Sequence, residues 1–127
     1  MNILFNECLQ ALQEYRVLSA EETLKVFKKI WTIAPIVYSG QIDWDKIDHD
    51  VYDDPMVFFK NLSLSQRKKK VVLCWDDAEL PSVETTMEKI FLNINDVACV
   101  SVHKYLLIND SIVAEIGFIP ENFRISL

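Results

Sequence analysis

Apolar residues recur at helical spacing near the start of the chain. Phe5, Cys8, Leu9 and Leu12 share one face of residues 2–16, and Asn6, Glu7, Gln10 and Gln13 share the other. Ser19 opens a second helix. With Glu22 three residues on it forms a capping box, in which the hydroxyl and the carboxylate each take a free backbone amide. Leu24, Phe27 and Trp31 are read as the buried stripe of that helix, with Lys25, Lys28 and Lys29 away from it. The short link between the two predicts an antiparallel helical hairpin. Pro35 and Gly40 then bracket a loop around Ile36–Ser39.

Asp54-Pro55 starts a third helix, since aspartate favours the N-cap and proline the first helical position. Met56, Phe59 and Leu62 are its core candidates. Val71–Trp75 is almost wholly apolar and reads as a central strand covered on both faces. Pro81-Ser82 is read as the start of a fourth helix, with Val83, Met87, Ile90 and Phe91 inward and Asn93–Asp96 at its end. A long strand over 97–108, a turn at Asn109-Asp110, a strand over 111–119 and an edge strand at the closing FRISL complete the pattern. The connection from 71–76 to 97–108 is long enough for a right-handed parallel crossover. The expectation is one α+β domain over 1–127, in the order α-α-α-β-α-β-β-(β), with helices packed on a small mixed or antiparallel sheet.

Composition agrees with a globular chain of 127 residues, half apolar and a quarter charged. That length buries enough surface to fold without disulfides or metal. Cys8, Cys74 and Cys99 are odd in number and lie in apolar segments, so reduced, mostly buried thiols are expected. The opening MNILFNECLQ has no cationic stretch and meets Glu7 early, so a cytoplasmic chain with no secretory signal is expected. No apolar run approaches the ~20 residues of a membrane span.

Charge changes the picture most. The net charge is −6, and the stretch DWDKIDHDVYDD carries nearly all of it. Asp43, Asp45, Asp48, Asp50, Asp53 and Asp54 stand there against Lys46 alone. General binding to nucleic acid or anionic membrane is disfavoured, and a basic protein partner favoured. As a calcium loop the stretch fails, because Ile47 and Asp48 stand where a ligand and a glycine belong. It remains a solvated loop, a binding surface, or a weak carboxylate site with His49. Trp44 and Tyr52 within it are either interface anchors or packing under the loop.

Catalysis has little to stand on. Cys99 and His103, four apart on one expected strand, would be ~13 Å apart and cannot form a thiolate–imidazole pair. Asp76, Asp77 and Glu79 follow the central strand, where ligands gather in open sheets. No partner lysine or glycine-rich loop accompanies them, and no nucleotide-binding or zinc-protease motif occurs. A small hydrolase or metal-dependent enzyme built on Asp76 and Asp77 stays as the rival reading. Arg67–Lys70 reads as a soluble guard beside an aggregation-prone strand.

The short opening helices, the DWDKIDHDVYDD run and the WDDAE segment resemble the small acidic immunity proteins of bacterial contact-dependent growth inhibition and related polymorphic toxin systems. The resemblance implies a cytosolic protein that binds a cognate toxin domain, often a nuclease, and blocks it without catalysis. It implies no cofactor and carries over no individual residue. The partner-binding candidates are therefore those that charge and aromatic content single out: Asp43, Trp44, Asp45, Asp48, Asp50, Tyr52, Asp53, Asp54, Asp76, Asp77 and Glu79. A monomer or weak homodimer is expected. A phosphate-mimicking adaptor is the second rival, and it would bind many DNA-binding proteins where an immunity protein binds one.

Overall fold

A computed structural model of the chain describes residues 2–37, 40–117 and 122–127. Part of the expected loop at 36–39 and the end of the expected strand at 111–119 lie outside these residues. The fold is α+β. Seven strands form one sheet: β1 Arg16–Val17, β2 His49–Tyr52, β3 Lys70–Trp75, β4 Val83–Thr86, β5 Lys104–Ile108, β6 Ile112–Ile116 and β7 Phe123–Ser126. Their spatial order is β1-β4-β3-β5-β6-β7-β2, and every pairing between them is antiparallel.

Helices cover both faces. One face carries α1 (Ile3–Leu12), α3 (Pro55–Lys60), α5 (Met87–Leu92) and α6 (Ile94–Ala98), over a core that includes Phe5, Leu12, Phe59, Trp75, Phe91 and Phe123. Phe59 stacks on Phe91 with centroids 5.2 Å apart, and Phe5 meets Trp75 edge-on at 5.3 Å. Such pairs contribute ~0.5–1.5 kcal/mol each beyond their area. The other face carries α2 (Ala20–Ile33) and a 3-10 turn, Trp44–Lys46, over Val26, Ile30, Trp44, Cys74, Tyr105 and Leu107. The short α4 (Leu64–Arg67) buries none of its residues.

Local signals hold well. Asn2 caps α1, Ser19 and Glu22 form the expected capping box on α2, and Asp54 caps α3 with Pro55 next. Val71–Trp75 lies in an interior strand. Asn109 and Asp110 take φ of 55° and 60°, and the Ser111 amide bonds the Ile108 carbonyl at 3.2 Å. Those are the two left-handed positions of a hairpin turn. Ile108 pairs with Ile112, so the connection is one residue longer than a two-residue loop.

Long-range pairing overrides the remaining expectations. α1 and α2 are not a hairpin: β1 intervenes, and the helices pack on opposite faces of the sheet. The helix expected from Pro81-Ser82 starts only at Met87, capped by Thr86. Residues 83–86 instead pair with β3, which their β-branched side chains and alternating burial suit. The strand expected over 97–108 spans only 104–108, since Val97 and Ala98 end α6. It pairs with β3 antiparallel, so no parallel crossover exists there. FRISL forms β7, which is interior, and the sheet edge beyond it is β2, drawn from the acidic stretch itself. Cys8 and Cys74 are buried, but Cys99 at the end of α6 is exposed.

Candidate interface: an acid-rimmed groove beside the long helix

Register sets where the carboxylates go. Tyr52 pairs with Phe123, Phe123 with Ile116, Ile116 with Lys104, and Lys104 with Trp75. Asp53 and Asp54 therefore leave the sheet at the same end as Asp76 and Asp77. β2 and β3 are four strand positions apart, roughly 19 Å at the usual spacing. Lys68–Lys70 enter β3 at the opposite end, where Asp48 and Asp110 also lie.

The acidic stretch is structured rather than a loop. Asp45, Asp48, Asp50, Asp53 and Asp54 are exposed, and Asp43 is half-buried, 3.8 Å from Lys46. Asp54 also caps α3, its Oδ1 accepting from the Met56 amide at 2.9 Å. Trp44 is not a surface anchor. It is 4 % exposed, and its Nε1 donates to Glu115 Oε1 at 2.6 Å. The apolar position within a 3-10 turn aims it under the sheet, so packing wins there. Tyr52 is half-buried, with its ring against Phe58 at 5.5 Å. His49 Nδ1 lies 2.8 Å from the Ile47 carbonyl, and its ring packs 5.2 Å from Trp44. Among the described residues no three His, Cys, Asp or Glu side chains gather as a metal ion would require.

The second acidic segment borders a groove. Asp76 continues the β3–β5 ladder, its amide bonding the His103 carbonyl at 3.0 Å. Asp77 Oδ1 accepts from the Glu79 amide at 2.9 Å and closes a tight turn. Asp76 and Glu79 are exposed, and Asp77 is half-buried. This turn forms one wall of a 370 Å³ groove, and Ala20, Thr23, Leu24 and Phe27 of α2 form the other. Past Phe27 lies a smaller hollow of 80 Å³, bounded by Trp31, Ile42, Asp76 and Tyr105 among others. Asp43 follows Ile42 directly, so the two acidic segments approach each other around this hollow.

Leu24 and Trp31 line this surface because they are not the buried stripe of α2. They are 50 % and 46 % exposed, while Val26 and Ile30 face the sheet. Phe27 is half-buried, its ring 6.0 Å from that of Trp31. Periodicity finds both stripes, 24/27/31 and 26/30, and does not say which one the sheet covers. The legible signal was the surplus: α2 has more apolar residues than one buried face needs.

Beneath the groove lies a polar chain. Glu115 bridges Trp44 to His103, whose Nδ1 is 3.2 Å from Glu115 Oε2. Tyr105 is 3 % exposed, and its hydroxyl oxygen accepts from the Ile42 backbone amide. Burial, then the charges of Glu115 and Asp76, push its pKa well above the usual phenol value. On the other side of the sheet Lys104 is fully buried, and its Nζ donates to the Val102 carbonyl at 3.0 Å. Burial holds its pKa below the usual lysine value. Sequence reasoning named neither Tyr105 nor Lys104, since polar groups inside an apolar strand are visible only once the strand is placed.

The family model described as CdiI immunity protein, EcoliA0-like, matches residues 2–124. Comparison with the curated proteins found no match.

Proposed function

The chain belongs to the CdiI immunity protein family, and on that premise we propose that it neutralises its cognate toxin by docking the acidic end of its sheet, together with the groove along α2, against a basic surface of the toxin. An immunity protein of this family is a binder of a toxin protein and not an enzyme. The family match carries the toxin as partner. The gathering of Asp53, Asp54, Asp76, Asp77 and Glu79 at one end of the strands supports the choice of surface.

The reading extends to what the toxin does. A nuclease attracts a polyanion and so presents a basic cleft. Clustered carboxylates complement that cleft and steer encounter, raising the on-rate to ~10⁸–10⁹ M⁻¹s⁻¹ at low salt. Asp43, Asp45, Asp48 and Asp50 widen the acidic field along the sheet edge. Trp44 and Tyr52 support that edge from beneath instead of touching the partner. A patch spanning both acidic segments bridges the roughly 19 Å between β2 and β3, within the reach of a standard interface. The protein acts where the toxin acts, in the cytoplasm, and binds as a monomer.

Stopped-flow association with the cognate toxin domain tests this reading. The on-rate should fall steeply as ionic strength rises, because exposed charges are screened over ~8 Å near physiological salt. An on-rate that is flat with salt would remove the acidic surface from the account. A protein that leaves cells unprotected from the toxin would remove the function itself.

A further inference from the structure

We propose that the hollow between Phe27, Trp31, Tyr105 and Asp76 is a pocket for one arginine side chain of the toxin. The inference rests on toxin binding as read above, and it adds which group of the toxin is held and by what.

Three observations converge. The walls are aromatic, with Trp31 and Phe27 on α2 and Tyr105 on the sheet, and Asp76 stands beside them. A cation placed over aromatic faces next to a carboxylate is stabilised by both. The hollow measures 80 Å³, which at ~30 Å³ per water is about two or three waters, close to the size of a guanidinium head. Finally, the Tyr105 hydroxyl lines the hollow and is buried, its oxygen accepting from the Ile42 backbone amide with a second lone pair left for another donor. A phenolic oxygen can accept from more than one donor, so a bound N–H adds to the Ile42 bond.

Arginine fits this chemistry better than lysine. Its planar guanidinium can lie along Trp31 while separate N–H groups donate to the Asp76 carboxylate and the Tyr105 oxygen. The hydroxyl keeps its proton at neutral pH, since burial and the nearby carboxylates oppose ionisation. The exposed Leu24 and the 370 Å³ groove then receive the apolar neighbours of that arginine on the toxin surface.

Two variants of the intact protein test the pocket, each assayed for toxin affinity and thermal melting. Asp76→Asn should weaken binding by at least about thirtyfold, the lower end for truncating one partner of a desolvated charge pair. Tyr105→Phe should weaken it by about tenfold, as loss of a hydrogen bond to a charged group does. Its melting temperature should fall only slightly, because the fold loses no more than the bond from the Ile42 amide. A second measurement needs no toxin. Titrating N-acetyl-arginine amide should shift the Trp31 indole N–H resonance saturably, and the neutral N-acetyl-citrulline amide should not. Wild-type affinity in both variants, or equal responses to the two amides, overturns the pocket while leaving toxin binding intact. Failure of the wild-type protein to bind toxin overturns the underlying reading instead.

Discussion

The two faces of the sheet are built differently. On one, four helices close over a cluster of aromatic rings, and Phe5, Phe59, Trp75, Phe91 and Phe123 are all buried. On the other, a single long helix and a 3-10 turn do the covering, and α2 keeps a second apolar stripe, Leu24 and Trp31, in solvent. The helices of the first face leave only scattered apolar side chains in solvent, Ile3, Leu4, Val57 and Leu92, on three different helices. The second has left part of its apolar surface open beside carboxylates. Exposed apolar surface rimmed by charge destabilises nothing by itself, and it is what a partner can use.

Substitutions separate the faces by the size of their effect. Phe91→Ala on the closed face should destabilise by about 3–5 kcal/mol in urea unfolding, the usual range for emptying a large aromatic from a core. Toxin affinity measured well below the melting point should change little. Trp44→Phe under the open face should destabilise less, by about 1–3 kcal/mol, because the short bond to Glu115 is lost and a half-buried carboxylate oxygen loses its donor.

Each face also hides a thiol. Burial, with a smaller contribution from Asp96, pushes Cys8 from 9.0 to about 12, and burial raises Cys74 well above its ordinary value. Both pKa values are higher folded than unfolded, so their stabilising effect is complete below pH 9 and is lost as pH climbs towards the folded values. Tyr105 adds in the same direction, and Lys104, whose folded pKa is lowered, opposes it. Stability should therefore fall above pH 9, by up to about 1.4 kcal/mol per pH unit for each fully titrating group. Cys74→Ala should flatten that slope in urea melts followed from pH 8 to 10.5.

At the small end stands Leu24→Ser. The side chain is half in solvent, so stability should stay within about 0.5 kcal/mol of wild type. Toxin binding should nonetheless weaken measurably by calorimetry. A large loss of stability would mean that this stripe belongs to the core.

The sequence was most legible where structure is local. The Ser19–Glu22 capping box, the Asp54-Pro55 start and the left-handed pair at Asn109-Asp110 depend on residues within one turn of each other, and each formed, the last in a connection one residue longer than expected. Val71–Trp75 was legible because an unbroken apolar run has few other homes. What failed depended on partners far along the chain. Residues 83–86 look like a helix entry until β3 lies beside them, and residues 49–52 look like an acidic loop until β7 does. Of the candidate site, the carboxylates were visible as charge. That Asp53 and Asp54 share one end of the sheet with Asp76 and Asp77 was not, since it follows from register. The groove was misread for a further reason: a helix that binds on one side and packs on another has two apolar stripes, and amphipathicity alone ranks neither.

Hydrogen exchange, measured on the free protein and on its complex with the cognate toxin domain, tests most directly which face meets the toxin. The account predicts added protection across residues 20–31 and 76–81, with segments 55–67 and 87–98 unchanged. Protection confined to 55–67 and 87–98, with α2 and the Asp76–Pro81 turn exchanging as in the free protein, would contradict it.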